Sequence, residues 1–68
     1  MTILFVYYNE GFILKAYEFE EQYFVEFSFL ELRKIYFCPD KFFALNLAKV
    51  ISNFYTEDLQ RLKKYLDL

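Results

Sequence analysis

The sequence predicts an α+β domain: an antiparallel meander of three strands, or of four, followed by two C-terminal helices packed on one sheet face. Three observations lead there. Runs rich in Phe, Tyr, Ile and Val fill the first half and are broken only at Asn9-Glu10-Gly11 and Glu20-Glu21-Gln22, as strands are by turns. Pro39, the only proline, precedes a stretch of helical periodicity. Ten Phe and seven Tyr among 68 residues supply a rich core for one small domain, 1–68, where the buried fraction of surface is otherwise low.

The first strand is expected over 2–8 and the second over 12–19. Gly11, the only glycine, suits the left-handed third position of a three-residue hairpin loop, which pairs Tyr8 with Phe12 and Ile3 with Tyr17. A second three-residue loop, Glu20-Glu21-Gln22, leads into a strand over 23–30 and pairs Phe19 with Tyr23 and Tyr17 with Val25. This register collects the odd positions into a row whose only charge is Lys15, and a one-residue slip would undo it. No turn former separates Leu30 from Glu31-Leu32-Arg33-Lys34-Ile35-Tyr36-Phe37, so a long strand reaching 37 with a bulge near Leu30 to Leu32 is expected. The alternative there is a short helix begun by Ser28-x-x-Glu31 as a capping box.

Pro39 at the first position of a helix over 39–53, with Asp40 beside it, suits a helix N-terminus. Steps of about 100° gather Phe43, Ala44, Leu47, Ala48, Val50, Ile51 and Phe54 on one arc. Thr56 reads as the N-cap of a second helix over 57–67 with Leu59, Leu62, Tyr65 and Leu66 as its buried stripe.

The functional content lies partly in what is missing. With no histidine, Cys-His and Ser-His nucleophile pairs and imidazole metal ligands are excluded. The single cysteine, Cys38, has neither a resolving cysteine nor an imidazole beside it and reads as a small residue at a strand-to-helix junction. The chain is therefore expected not to be an enzyme and to hold no cofactor or metal. One cysteine, no secretory leader and no apolar run near the ~20 residues that span a bilayer point to a reducing cytoplasm, of a bacterial or host cell, and away from membranes.

The net charge of −2 gives no general attraction to nucleic acid, but it is unevenly spread. Residues 1–32 hold six Glu against one Lys, and residues 33–68 hold seven Lys or Arg against four Asp or Glu. Glu18, Glu20, Glu21 and Glu26 gather around one hairpin, as a solvated rim or as a mimic of a phosphate backbone. Arg33, Lys34, Lys41 and Lys49 carry the competing reading, nucleic-acid binding by the basic half, without the glycines or signature of an RNA-recognition sheet.

The strongest signal is the apolar residues left on the even face once helices cover the odd one. Leu4, Val6, Tyr8, Phe12, Leu14, Phe24 and Leu30, with Phe42 and Leu45 as a separate helical pair, are the expected protein-interaction residues. The expected function is that of a non-enzymatic protein-binding module that docks on another protein or on a second copy of itself. Most concretely this is a small cytosolic regulator or inhibitor occluding a target's surface, a profile shared by small phage and mobile-element proteins that block host defence enzymes. A structural homo-oligomer is the remaining alternative.

Overall fold

The computed structural model describes residues 1–29 and 31–57. Four strands, β1 (Thr2–Asn9), β2 (Phe12–Phe19), β3 (Gln22–Phe29) and β4 (Leu32–Cys38), form one antiparallel sheet in the order β1-β2-β3-β4. One helix, α1 (Lys41–Glu57), packs on one face, chiefly over β2 and β3. The α+β meander is the one the sequence predicts, with the fourth strand an element of its own. The expected long bent strand is two strands, because the chain reverses between Phe29 and Leu32, which pair with each other. The one bulge among the described pairings is in β1, between Ile3 and Phe5. Past Asn53, α1 continues through Thr56, which is thus inside this helix and not the cap of another. The second helix expected over 57–67 lies, beyond Glu57, outside the described residues.

The turns correct the expected register. Asn9 pairs with Phe12 and Phe19 with Gln22, so both loops have two residues, not three. Glu10 and Gly11 stand at φ 47° and 88°, and Glu20 and Glu21 at 52° and 64°. Positive φ at both central residues marks the type I′ turn, whose twist matches that of the flanking strands. In a two-residue hairpin, paired residue numbers sum to an odd value, as in Leu14 with Phe27, so the inward parity switches at each turn. The core face is therefore odd on β3 and on β1 beyond the bulge, but even on β2 and β4.

The core confirms that reading. Phe12, Leu14 and Ala16 of β2, Val25 and Phe27 of β3 and Cys38 of β4 are buried against Ala44, Ala48 and Ile51 of α1, with Phe5, Tyr7, Tyr36 and Leu47 packed around them. The alanines at the contact let the helix settle over the centre of the sheet, while Phe12 touches Tyr7, Phe27 and Phe29 at ring separations of 6.2, 5.7 and 6.3 Å. Of the expected helical arc, Phe43 is instead exposed and Val50 only half-buried.

The helix start also differs by one position from expectation. Asp40 Oδ1 accepts a hydrogen bond from the Phe43 backbone N–H at 2.8 Å, which makes Asp40 the N-cap. Pro39 stands before the cap, ending β4 where a further ladder N–H is no longer required.

Two stability measurements follow from this register. Leu14→Ala is expected to cost about 2–5 kcal/mol by leaving a cavity under α1, whereas Ile13→Ala, on the exposed side, stays within about 0.5 kcal/mol; equal losses in denaturant unfolding would contradict the register. Replacing Glu20 and Glu21 by Asn and Gly relieves two strained backbones, and is expected to raise stability by about 1 kcal/mol.

Candidate functional site

With α1 on one side, the other side of the sheet is open among the described residues, and register sets its contents in rows. Tyr8, Ile13, Ser28 and Arg33 cross the four strands in one row, then Val6, Lys15, Glu26 and Ile35, then Ile3, Tyr17, Phe24 and Phe37. Phe19 and Gln22 follow beside the β2–β3 turn. Val6 is 60% exposed, Tyr8 67%, Ile35 50% and Phe37 63%, so the outer strands present large apolar side chains directly to solvent.

Between them the centre is organised. The Tyr17 and Phe24 rings stack at 5.4 Å, and Phe24 meets Phe37 edge-on at 5.8 Å. The Lys15 ammonium sits 5.5 Å from the centre of the Tyr17 ring, within cation–π range. Glu26 is the polar hub: Tyr17 O–H donates to its Oε1 at 3.2 Å, and Arg33 Nε and Nη2 donate to its Oε2 at 3.1 and 3.0 Å. Its side chain is only 13% exposed, against 66% for Arg33, so the carboxylate is already largely desolvated and fixed within the face.

Sequence reasoning placed Val6, Tyr8 and Phe24 on the face opposite the helix, and they are there. Phe12 and Leu14 are a correction: both are wholly buried beneath α1, because the two-residue turns invert the parity of β2. Leu4, at the bulge, packs against the core, and Leu30 lies outside the described residues. On α1, Phe42 is 76% exposed and Leu45 half-buried. Ile13, Tyr17, Phe19, Ile35 and Phe37 were missed; reading Glu10-Gly11 as a two-residue I′ turn would have found those of β2.

The four glutamates do not form a row. Glu20 and Glu21 cap the β2–β3 turn, Glu18 is on the helix side of β2, and Glu26 is on the open side with Arg33. Among the described residues no three His, Cys, Asp or Glu side chains come together, and no helix is long and apolar enough to cross a membrane. A groove of about 280 Å³ runs along one flank of α1, lined by Phe43, Asn46, Leu47 and Val50.

Two groups have raised pKa values. Burial lifts the Tyr17 phenol above the ordinary tyrosine range, its hydrogen bond to Glu26 and that carboxylate's charge add to the effect, and Arg33 opposes it. Burial likewise lifts the Cys38 thiol, against a backbone hydrogen bond at Val25 and with a contribution from the Asp40 charge. A raised pKa in the folded state means stability that is complete below the unfolded-state pKa and declines as pH rises above it. Denaturation midpoints are therefore expected to fall above about pH 8.5 for the thiol and about pH 10 for the phenol, the second part disappearing in Tyr17→Phe; a midpoint that rises over that range would contradict it. Native Cys38 is expected to react with a thiol reagent only as fast as the protein unfolds, which a comparison of labelling in buffer and in denaturant reads directly. The chain matches no known protein family, no curated protein and no solved structure.

Proposed function

We propose that this protein is a non-enzymatic binding module whose working surface is the open sheet face, and that it acts as a regulator or inhibitor by covering a surface of a target protein. The observation that carries this reading is the exposure of Val6, Tyr8, Ile35 and Phe37 around the ordered Tyr17–Phe24–Glu26–Arg33 centre. Contiguous apolar patches beyond a few hundred Å² are uncommon on monomers and mark interaction sites. A centre of packed aromatics with a bound arginine, ringed by apolar contacts, has the composition of an interface hot spot.

A stacking platform for single-stranded nucleic acid would use the same aromatics. The charge pattern favours protein: Arg33 is held by Glu26, and the aromatic end of the face abuts the acidic Glu20–Glu21 turn. A salt titration against labelled single strands is expected to show no binding even at low salt.

The deciding comparison uses Ile35→Asp with Phe37→Asp as one variant and Phe42→Asp, on the outward side of α1, as its control. Both are expected to keep the wild-type circular dichroism spectrum, since all three residues are exposed on the single chain. Binding to protein partners should survive in the helix variant and fall by about a hundredfold in the sheet variant. Undiminished binding by the sheet variant would remove the open face from the function.

A further inference from the structure

We propose that the open face is closed by a second copy of this chain, packed face to face about a two-fold axis parallel to the strands and midway between β2 and β3. The inference rests on the docking role proposed above and names the occupant. Two sheets packed with their strands nearly aligned are a common sandwich arrangement. An axis in that position lays β1 over β4 of the other copy and β2 over its β3, each residue meeting the one at the same level on the opposite strand.

The rows then become self-complementary. In the row Val6, Lys15, Glu26, Ile35, Val6 of each copy meets Ile35 of the other, and Lys15 of each meets Glu26 of the other. In the next row Ile3 meets Phe37 and Tyr17 meets Phe24, while at the far end the Tyr8 ring meets the Arg33 guanidinium, a cation–π pairing. In these two central rows apolar falls on apolar, aromatic on aromatic and acid on base; in the outer rows Ile13 meets Ser28 and Phe19 meets Gln22. An axis perpendicular to the strands fails that test. Through the charged row it sets Lys15 on Lys15 and Glu26 on Glu26; displaced by half a row it sets Glu26 on Phe24 in one direction, and Lys15 on Ile13 with Glu26 on Ser28 in the other, so no acid meets a base.

The area is sufficient. Three of the strands have eight residues and β4 has seven; at ~3.4 Å per residue and ~4.8 Å between strands the face measures roughly 19 by 27 Å, about 500 Å² per copy before side-chain relief. About 1,000 Å² over both copies is the size at which a specific interface begins.

Light scattering across a concentration series should give twice the 8.4 kDa chain mass. Lys15→Glu and Glu26→Lys, each alone, should weaken the dimer by about tenfold or more, since like charges then meet across the axis. Mixed in equal amounts they should form a heterodimer, because each altered copy offers the sign that the other needs. Lys15 and Glu26 are also cross-strand neighbours within a chain, but that clash is unchanged by mixing, so only a contact between chains explains a gain.

Should either variant fail to fold, Val6→Cys with Ile35→Cys in a Cys38→Ala background tests the same axis with a thiol cross-linker of ~5 Å reach, the gap left between facing cysteine sulfurs when two sheets stack ~10 Å apart. Positions 6 and 35 lie on opposite edge strands, three spacings or about 14 Å apart, too far for a bridge within one chain. A cross-linked dimer is expected for the pair and not for Val6→Cys alone. A wild-type monomer throughout the series, no gain on mixing, or equal linking by Val6→Cys alone, which reports edge-to-edge pairing of β1, overturns the proposal. A monomer whose partner binding is still lost in the Ile35→Asp, Phe37→Asp variant removes only the second copy as occupant. A monomer whose binding is insensitive to that variant removes the docking role as well.

Discussion

Which side of each strand is buried depends here on two hairpin turns of two residues each, Glu10-Gly11 and Glu20-Glu21. Only the first contains the glycine that positive φ favours; the second holds two glutamates in the left-handed region, at a cost of about 1–2 kcal/mol each. What sustains that strain is burial. Phe12 and Leu14 on β2 and Val25 and Phe27 on β3 are all sealed under α1, and each full burial of such a side chain contributes about 1.5–3 kcal/mol. Four of these outweigh two strained turn residues, so the turn conforms to the sheet. A shift of one residue at either turn would turn Phe12 and Leu14, or Val25 and Phe27, outward.

The same parity decides what the open face contains. By sending Ile13, Tyr17 and Phe19 away from the helix, the turns assemble them with Val6, Tyr8 and Phe24 rather than with the core. An unbroken apolar surface of that kind invites indiscriminate association. Here Lys15, Glu26 and Arg33 interrupt it, and the contacts of Lys15 and Glu26 to Tyr17, with Arg33 bound to Glu26, hold the aromatic row in place. Ordering side chains before a partner arrives removes part of the cost of binding, about 0.5–1.5 kcal/mol per immobilised side chain. Charge at fixed points also makes a partner's pattern matter, since a surface that leaves Glu26 unmatched would bury a carboxylate badly.

Element type was legible in this sequence, and element register was not. Strand runs, the helix after Pro39 and the meander order follow from residue types and punctuation that act locally. Between Phe29 and Leu32, where the chain reverses, the sequence carries no Gly, Pro, Asn or Asp, and the β2–β3 turn places Glu where Asn or Gly is usual; both are imposed by pairing and packing across the sheet. The odd row, charged only at Lys15, that argued for three-residue loops misled because both faces of this sheet are rich in aromatics, so hydrophobicity alone does not say which side is in. Three of the expected interaction residues, Val6, Tyr8 and Phe24, survive on the open face because the register error left the parity of β1 and β3 unaltered, while it inverted that of β2 and so of Phe12 and Leu14.

Size then makes the second face consequential. One 17-residue helix covers the middle of one side of a four-stranded sheet, and with Ala44 and Ala48 at the contact it does so by fitting closely, using little apolar surface of its own. The aromatics of the other side have no comparable cover among the described residues. A face closed by a second copy would link folding to association, because the energy of its burial is realised only in the pair. Any target of an inhibitor built this way would have to compete with that copy for the same rows, and so would have to present apolar groups opposite Val6 and Ile35 and an acid and a base opposite Lys15 and Glu26. Selectivity would then come from the charged row, and affinity from the aromatic row beside it.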